Sequence, residues 1–339
     1  MKIYRHIFDE LVSLENLFSA WDKFRRGKGQ RPEVLEFEFN LEQNIFEIHR
    51  ELKKGTYRHG HYTSFSINDP KSRKISKATV CDRLVHQAVF NVLNPIFEPA
   101  FIANSFSNRV GKGTHAGVEE LARLLRQESK NFRKPCFALK CDIKKFFDSV
   151  NHEILMKIIS RRVKDPAALS LIREIVGSFE KTPGRGLPLG NLTSQIFANI
   201  YLNELDQFIK HQLKVKKYVR YTDDFLIVSA DKKYLEQILP AIDCFLRARL
   251  NLTLHPQKII IRKFRQGIDF LGYVNLPHYR LLRAKTRQRI WRKIKTAKEE
   301  LAIGDLSEFS FQQTFNSYLG VLSHANTFKL TQNLKNWIY

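Results

Sequence analysis

Residues 218–230, YVRYTDDFLIVSA, decide how this chain is read. Two short apolar runs flank Thr222-Asp223-Asp224, which predicts two strands joined by a tight turn with carboxylates at its tip. Upstream, PCFALKCDI (residues 135–143) alternates like a strand and ends on Asp142, 81 residues before Asp223 (223 − 142). Carboxylates gathered at strand ends repel one another unless a hard cation neutralises them. Mg²⁺ prefers oxygen ligands and usually binds through one or two carboxylates plus substrate phosphates. Two such ions, about 3.5–4 Å apart, stabilise the attacking and leaving oxygens in phosphoryl transfer. Side chains alternate along a strand, so Asp223 and Asp224 point to opposite faces. Asp142 and Asp223 are therefore expected as the main ligands, with Asp224 a weaker or supporting one. Alone, Y-x-D-D is a modest signal, and an exposed turn is its plain alternative.

Outward from this centre the pattern is α+β. Ile7, Leu11, Leu14, Phe18 and Trp21 predict one helix, broken by FRRGKGQRP. Leu41, Ile45, Ile48 and Leu52 predict a second, capped by Gly55. YTSFSINDPKSRKIS alternates on both sides of Asn68-Asp69-Pro70 and reads as a hairpin, with Lys71, Arg73 and Lys74 on its tip and return strand. Residues 79–101 are helical in period, and NSFSNRVGKGTHAG is a glycine-broken loop. Asn151 is placed to cap a helix. GRGLPLGN feeds a long helix from about Thr193 to His211, and a helix over 231–250 precedes strands at 258–263 and 268–274. From Arg283 to Lys298 there are eight basic residues and no acid, with Ile290, Ile294, Ala297 and Leu301 as an apolar stripe. Residues 283–289 alternate, which predicts a strand or loop leading into that helix. A boundary is expected near Leu276-Pro277.

Composition narrows the function. The 339 residues carry 57 Lys plus Arg against 34 Asp plus Glu, a formal net charge of +23, which points to a polyanionic partner and most simply nucleic acid. A hydrophobic fraction of 43% excludes wholesale disorder. No apolar run reaches the roughly 18–20 residues of a membrane span, and the N-terminus lacks the apolar core of a signal peptide. Four cysteines without a CxxC pair argue against a zinc site or a disulfide framework. The expectation is a soluble cytoplasmic protein. P-loop, HExxH and complete dinucleotide-binding patterns are missing from the sequence.

With these residues in view, a family resemblance emerges. YTDDFLIV resembles the metal-binding hairpin of reverse transcriptases, and LKCDIKKFFDSVNHEIL resembles their first aspartate block. DPKSRKIS, VCDRLVHQAV, SFSNRVGKGTHAG, GLPLGNLTSQIFANIYLNELD, LNLTLHPQKIII and IDFLGYV follow in family order, over roughly Tyr57 to Val274. The resemblance implies a right-hand polymerase: N-terminal helices and fingers over 1–134, a palm with an antiparallel sheet backed by helices over 135–275, and a short basic helical thumb over 276–339. It implies Asp142, Asp223 and Asp224 as the catalytic triad, holding two Mg²⁺ ions (Mn²⁺ as an alternative) with the Ile143 backbone carbonyl. Lys258 would protonate the leaving pyrophosphate. Lys71 and Arg73 would grip the triphosphate, or else form a solvated hairpin tip. Phe147, five residues after Asp142, would clash with a ribose 2′-OH and select deoxynucleotides (dNTPs), or else is a core aromatic, as Phe146 is expected to be. Arg109 would contact template phosphate or brace its loop. In the thumb, Arg283, Lys285, Arg287, Arg289, Arg292 and Lys293 would grip template RNA and the primer or cDNA, against the alternative of a solvated helix face.

One departure is informative. Where most of the family reads P-Q-G-x-x-x-S-P, this chain has Leu189 before Gly190 and Gln195 after Ser194. That pair, with the tail SYLGVLSHANTFKL, resembles the reverse transcriptases of diversity-generating retroelements. The resemblance implies error-prone copying at template adenines, a basic oligomeric accessory variability protein as partner, and a bacterial, phage or mobile-element origin. Loss of a glutamine contact near the incoming nucleotide would weaken discrimination by on the order of 1–3 kcal/mol, unless Leu189 merely packs the loop. The rival readings are a retron, group II intron or phage-defence reverse transcriptase, and a non-catalytic basic RNA-binding protein. The length leaves little room for a maturase domain. An RNA-dependent RNA polymerase is disfavoured by Phe147.

Overall fold

The computed structural model describes residues 2–69 and 71–338, so Pro70 of the expected hairpin turn lies outside the described residues. Four helices open the chain, α1 (Phe8–Val12), α2 (Leu14–Arg25), α3 (Pro32–Phe39) and α4 (Leu41–Lys54). A hairpin, β1 (Thr63–Ile67) and β2 (Arg73–Lys77), leads to α5 (Val80–Phe97), α6 (Thr114–Glu128) and β3 (Phe137–Asp142). Next come α7 (Phe146–Ser149), α8 (His152–Ile159), α9 (Pro166–Gly177) and α10 (Leu192–Gln207). The hairpin β4 (Tyr218–Tyr221) and β5 (Asp224–Ser229) precedes α11 (Lys232–Leu250) and β6 (Ile260–Lys263). The chain continues with β7 (Ile268–Phe270), β8 (Tyr273–Asn275), β9 (Arg280–Leu282), α12 (Ala284–Ala302), α13 (Glu308–Ser323) and α14 (Phe328–Ile338).

These elements form two compact units that interleave along the chain. One comprises Met1–Ala103, Asp142–Lys214 and Pro240–Pro256; the other comprises Asn104–Cys141, Val215–Leu239 and Gln257–Tyr339. In the first, α5 packs against α2 and α10. Its Leu84, Val85, Ala88, Val89 and Leu93 are fully buried, as expected of a helix that is apolar around most of its girth. Tyr201 on α10 donates to Leu250 O at 2.6 Å, tying α11 to that helix. α4 ends as predicted on Gly55 in the left-handed region (φ 67), and the Asn151 side chain accepts from Ile154 N to start α8.

In the second unit the sheet order is β4-β5-β3-β6. Helix α6 covers β4 and β5. Phe106, Val118, Leu121, Ala138, Val219, Leu226 and Phe264 build the core between them. A second, antiparallel sheet, β7-β8-β9, joins the same core, as do Ile290 and Ile294 of α12 and Phe315 of α13. The whole is mixed helix and sheet with antiparallel pairings, as the sequence predicts. No helix among the described residues is long and apolar enough to cross a membrane.

Four local expectations are corrected. The first helix is two, because the Ser13 side chain accepts from Asn16 N at 3.1 Å and starts a new helix in mid-stripe. Helices α3 and α9 were not anticipated; both start with proline in the first turn, where its missing N–H costs nothing. Residues 268–274 are not one strand but a hairpin turning at Leu271 (φ 51) and Gly272 (φ 91), and β9, beyond Pro277, completes the sheet. Residues 284–289 are helical: the alternation there is of cations, and the apolar residues keep the helical period.

A buried polar cluster holds the start of α5. Asp82, 1% exposed, accepts from Tyr57 Oη (2.7 Å), Thr79 Oγ1 (2.6 Å) and Gly60 N (3.2 Å). Burial pushes its carboxyl up, but the bonds from Thr79 and Tyr57 outweigh that and hold it below the usual range. His86 Nε2 lies 3.1 Å from His59 Nε2, and burial, then the neighbouring imidazole, push His86 down to about 3. The folded state thus binds this proton less readily than the unfolded chain. Stability should be complete above the ordinary imidazole pKa of about 6.5 and fall with acidity below it, by up to about 1.4 kcal/mol per pH unit. Urea midpoints measured from pH 7.5 to 5 should show that slope, and His86→Gln should flatten it. Equal slopes for both proteins would contradict the assignment.

Candidate active site

The turn between β4 and β5 comprises only Thr222 and Asp223, with Tyr221 paired to Asp224. Thr222 sits at φ 52, a region that a β-branched residue enters only under constraint and at a cost of about 1–3 kcal/mol. The constraint comes from two side chains. Thr222 Oγ1 donates to Ser107 Oγ at 2.6 Å, and Arg220 Nη1 donates to the Thr222 carbonyl at 3.1 Å. Arg220 is fully buried, and its own backbone bonds Asn104 O (3.0 Å) and Phe106 N (2.9 Å). The loop before α6 therefore braces the turn from beneath.

β3 lies beside β5. Lys140 Nζ is 3.2 Å from Asp224 Oδ2, so the end of β3 lies beside the start of β5. Asp142, two residues on, shares the strand face of Lys140. Lys140 also donates to Asp269 O at 3.0 Å, and Asp269 is ion-paired with Arg283. The carboxylate of Asp224 is thus held by a partly buried lysine of the neighbouring strand. Asp142 closes β3 half-buried, with its carbonyl accepting from His255 N at 2.8 Å, while Lys144 N donates to Thr253 O at 2.9 Å. These two bonds pin the backbone on either side of the buried Ile143. Among the described residues no three carboxylate, imidazole or thiol groups form a ready-made metal cage. Mg²⁺ does not require such a cage, since that ion usually combines one or two carboxylates with water and substrate phosphates.

The other candidates fall as follows. Phe146 is core at 2% exposure, whereas Phe147 on α7 stays half-buried, 5.3 Å from it in an edge-on contact, its carbonyl accepting from Leu187 N at 2.7 Å. Leu189 and Gly190 lie against β2: the Leu189 carbonyl accepts from Ser76 N (3.0 Å), and Asn191 Nδ2 donates to Ser76 O (2.8 Å). A side chain on Gly190, at φ 108, would meet Ile75 Cγ2 at 2.7 Å, so the loop needs glycine there. Lys71 and Arg73 are exposed on the same hairpin. Lys258 ends a 3₁₀ turn, half-buried. Arg109 donates to Ser105 O at 2.9 Å, bracing its loop. Arg283 immediately precedes α12 and is ion-paired with Asp269, while Lys285, Arg287, Arg292 and Lys293 are exposed and Arg289 is half-buried.

Sequence reasoning named Thr222 only as a turn residue and did not single out Arg220, Ser107 or Lys140. Lys140 was within reach, because it lies two residues from Asp142 on a predicted strand. Arg220 was not, since an arginine in an apolar hairpin reads as solvent-facing until the strand is seen to be covered.

Comparison with known proteins bears on this geometry. The profile of the family "Reverse transcriptase (RNA-dependent DNA polymerase)" matches residues 63–275, a span that contains Asp142, Asp223 and Asp224. The chain is 27% identical over 304 residues to the group II intron-encoded protein LtrA of Lactococcus lactis subsp. cremoris, covering 68% of this chain and 49% of that protein. It is also 27% identical over 289 residues to protein YkfC of Escherichia coli (strain K12), covering 72% and 74%. The chain spans about half the length of LtrA. Among solved structures, telomerase from Candida albicans in complex with a fragment of telomeric RNA aligns at a TM-score of 0.49 with 13% identity, covering 84% of this chain and 61% of that one. With well over half of its residues matched by the profile, aspartate segments included, the chain belongs to the reverse transcriptase family.

Proposed function

We propose that this chain copies RNA into DNA by metal-assisted nucleotidyl transfer, using template RNA, a primer and dNTPs. The observation that carries the reading is the Asp223 turn, held in a strained conformation by buried Arg220 and Ser107 beside the strand that ends on Asp142. A retired site has no physical need to maintain that strain. Mg²⁺ or Mn²⁺, when bound by Asp142 and Asp223, would stabilise the attacking and leaving oxygens. Asp224 supports the site through Lys140, and Lys71, Arg73 and Lys258 supply cations for the triphosphate and the leaving group. Phe147, half-buried beside the core ring of Phe146, would meet the sugar of the incoming nucleotide.

Within the family we read the chain as a diversity-generating retroelement type, with an accessory variability protein as its partner. Leu189 supports this: its backbone is hydrogen-bonded into β2, so its side chain replaces glutamine's polar end with an apolar one at a fixed position. The 27% identity to LtrA favours a second reading, a group II intron type of enzyme.

Three substitutions test these readings. Asp223→Ala should reduce dNTP incorporation in primer extension at least a thousandfold while RNA affinity changes less than threefold; residual synthesis near the wild-type rate would sink the assignment. Phe147→Ala should raise ribonucleotide incorporation at least tenfold, and an unchanged dNTP-to-NTP ratio would leave Phe147 as packing only. Leu189→Gln should lower misincorporation opposite template adenine in sequenced cDNA. An unaltered error spectrum would favour the intron-type reading.

A further inference from the structure

The second unit carries a feature that the polymerase reading does not use. At the start of β3, five residues from Asp142 and hence roughly 17 Å along the strand, there is a pocket of about 210 Å³. Arg133, Lys134, Lys263 and Arg265 line it together with Phe132, and no carboxylate does. No ion pair is found for any of the four cations among the described residues. Glu128, the acid next to this loop in sequence, accepts instead from Ala230 N at 2.8 Å.

The pocket is built rather than incidental. Lys130, Asn131 and Phe132 are three successive non-glycine residues at positive φ (48, 55 and 68), each in a region that costs on the order of 1–3 kcal/mol. Bonds from Asn131 N to Arg126 O (2.9 Å), from Arg126 Nε to Asn131 Oδ1 (2.8 Å) and from Phe132 N to the Oγ of buried Ser129 (3.0 Å) hold this turn. Its effect is to set the Phe132 ring 4.9 Å from His278 and 5.9 Å from Phe264, and to bring Arg133 and Lys134 beside Lys263 and Arg265 at the end of β6. Four like charges around one concavity repel one another, and an anion is the species that relieves this.

We propose that this pocket binds phosphodiester groups of template RNA outside the strand being copied, a second RNA contact on the far end of β3 from Asp142. Arginine forks suit phosphate oxygens, and the half-buried Phe132 ring offers a base a stacking surface, a combination that favours nucleic acid over an acidic peptide. The inference rests on the chain being an RNA-copying enzyme.

The test compares wild type with the R133Q/K134Q/K263Q/R265Q protein and with a control, K53Q/K54Q/K157Q/K164Q, in which four exposed lysines elsewhere are neutralised. Affinity for a long structured RNA and for a short template–primer duplex is measured against salt, and extension of the short duplex is followed. The pocket variant should bind the long RNA at least tenfold more weakly at 150 mM salt. The slope of its log affinity against log salt should drop by roughly 3, while affinity for the short duplex and its extension stay within twofold. Unchanged long-RNA affinity, an equal loss in the control, or an equal loss on the short duplex would each overturn the proposal. Two competition arms identify the anion. If 5 mM inorganic phosphate abolishes the difference between wild type and variant, the pocket serves a free phosphate. If a polyglutamate peptide displaces the long RNA at equal charge concentration, it serves an acidic protein. If wild type fails to extend any primer, the polymerase reading fails while the binding comparison still decides the pocket.

Discussion

A guanidinium with no solvent access lies beneath the turn that carries Asp223. Burying a guanidinium such as that of Arg220 costs several kcal/mol unless its hydrogens are bonded. Here the side chain donates to Thr222 O and the backbone is tied to Asn104 and Phe106, so the loop before α6, the strand β4 and the turn behave as one piece. Thr222 remains left-handed because that piece holds it so. The backbone conformation of the turn that carries Asp223 is thereby fixed by the fold itself.

The charges around the sheet are ordered in the same sense. Asp269 lies between Lys140 and Arg283, and Lys140 reaches on to Asp224, so positive and negative groups alternate from the start of α12 to the opening of β5. This chain of contacts joins Asp224 to Lys140, Asp269 and Arg283. It also gives Arg283 an internal task that its neighbours Lys285 and Arg287 do not share, although all three belong to one basic run. A net charge of +23 is therefore not a uniform coat. Part of it fastens the fold, part lies exposed along α12, and part surrounds the concavity at the start of β3.

Much of this was legible beforehand. Period-2 alternation around Asp-Asp, the Gly55 cap and the Asn151 cap are local signals, and local physics realised them. Expectations failed where a side chain competed with periodicity, as Ser13 does by starting a new helix inside an apolar stripe. They failed again where a pattern of cations was taken for one of apolar residues at 283–289. Helix α3 was missed because the stretch ending on Pro32 was read as a breaker and its proline not as a first-turn residue, and α9, which also starts on proline, was not read at all. The candidate site was legible in its carboxylates, which chemistry demands, but not in its supports. Arg220 and Ser107 act through burial and long-range pairing, and neither leaves a mark on the sequence nearby.

The seam between Gly190 and Ile75 has a mechanical consequence. The Leu189–Asn191 loop is bonded to both backbone groups of Ser76, and a side chain at Gly190 would collide with Ile75. The hairpin bearing Lys71 and Arg73 cannot tilt without dragging the loop along, so on the proposed reading the residues assigned to the triphosphate and the one assigned to the base would move as a single lever. Tuning accuracy by altering the loop alone would then change nucleotide capture as well. A directed-evolution library that varies position 189 would do better to randomise positions 75 and 76 in the same clones.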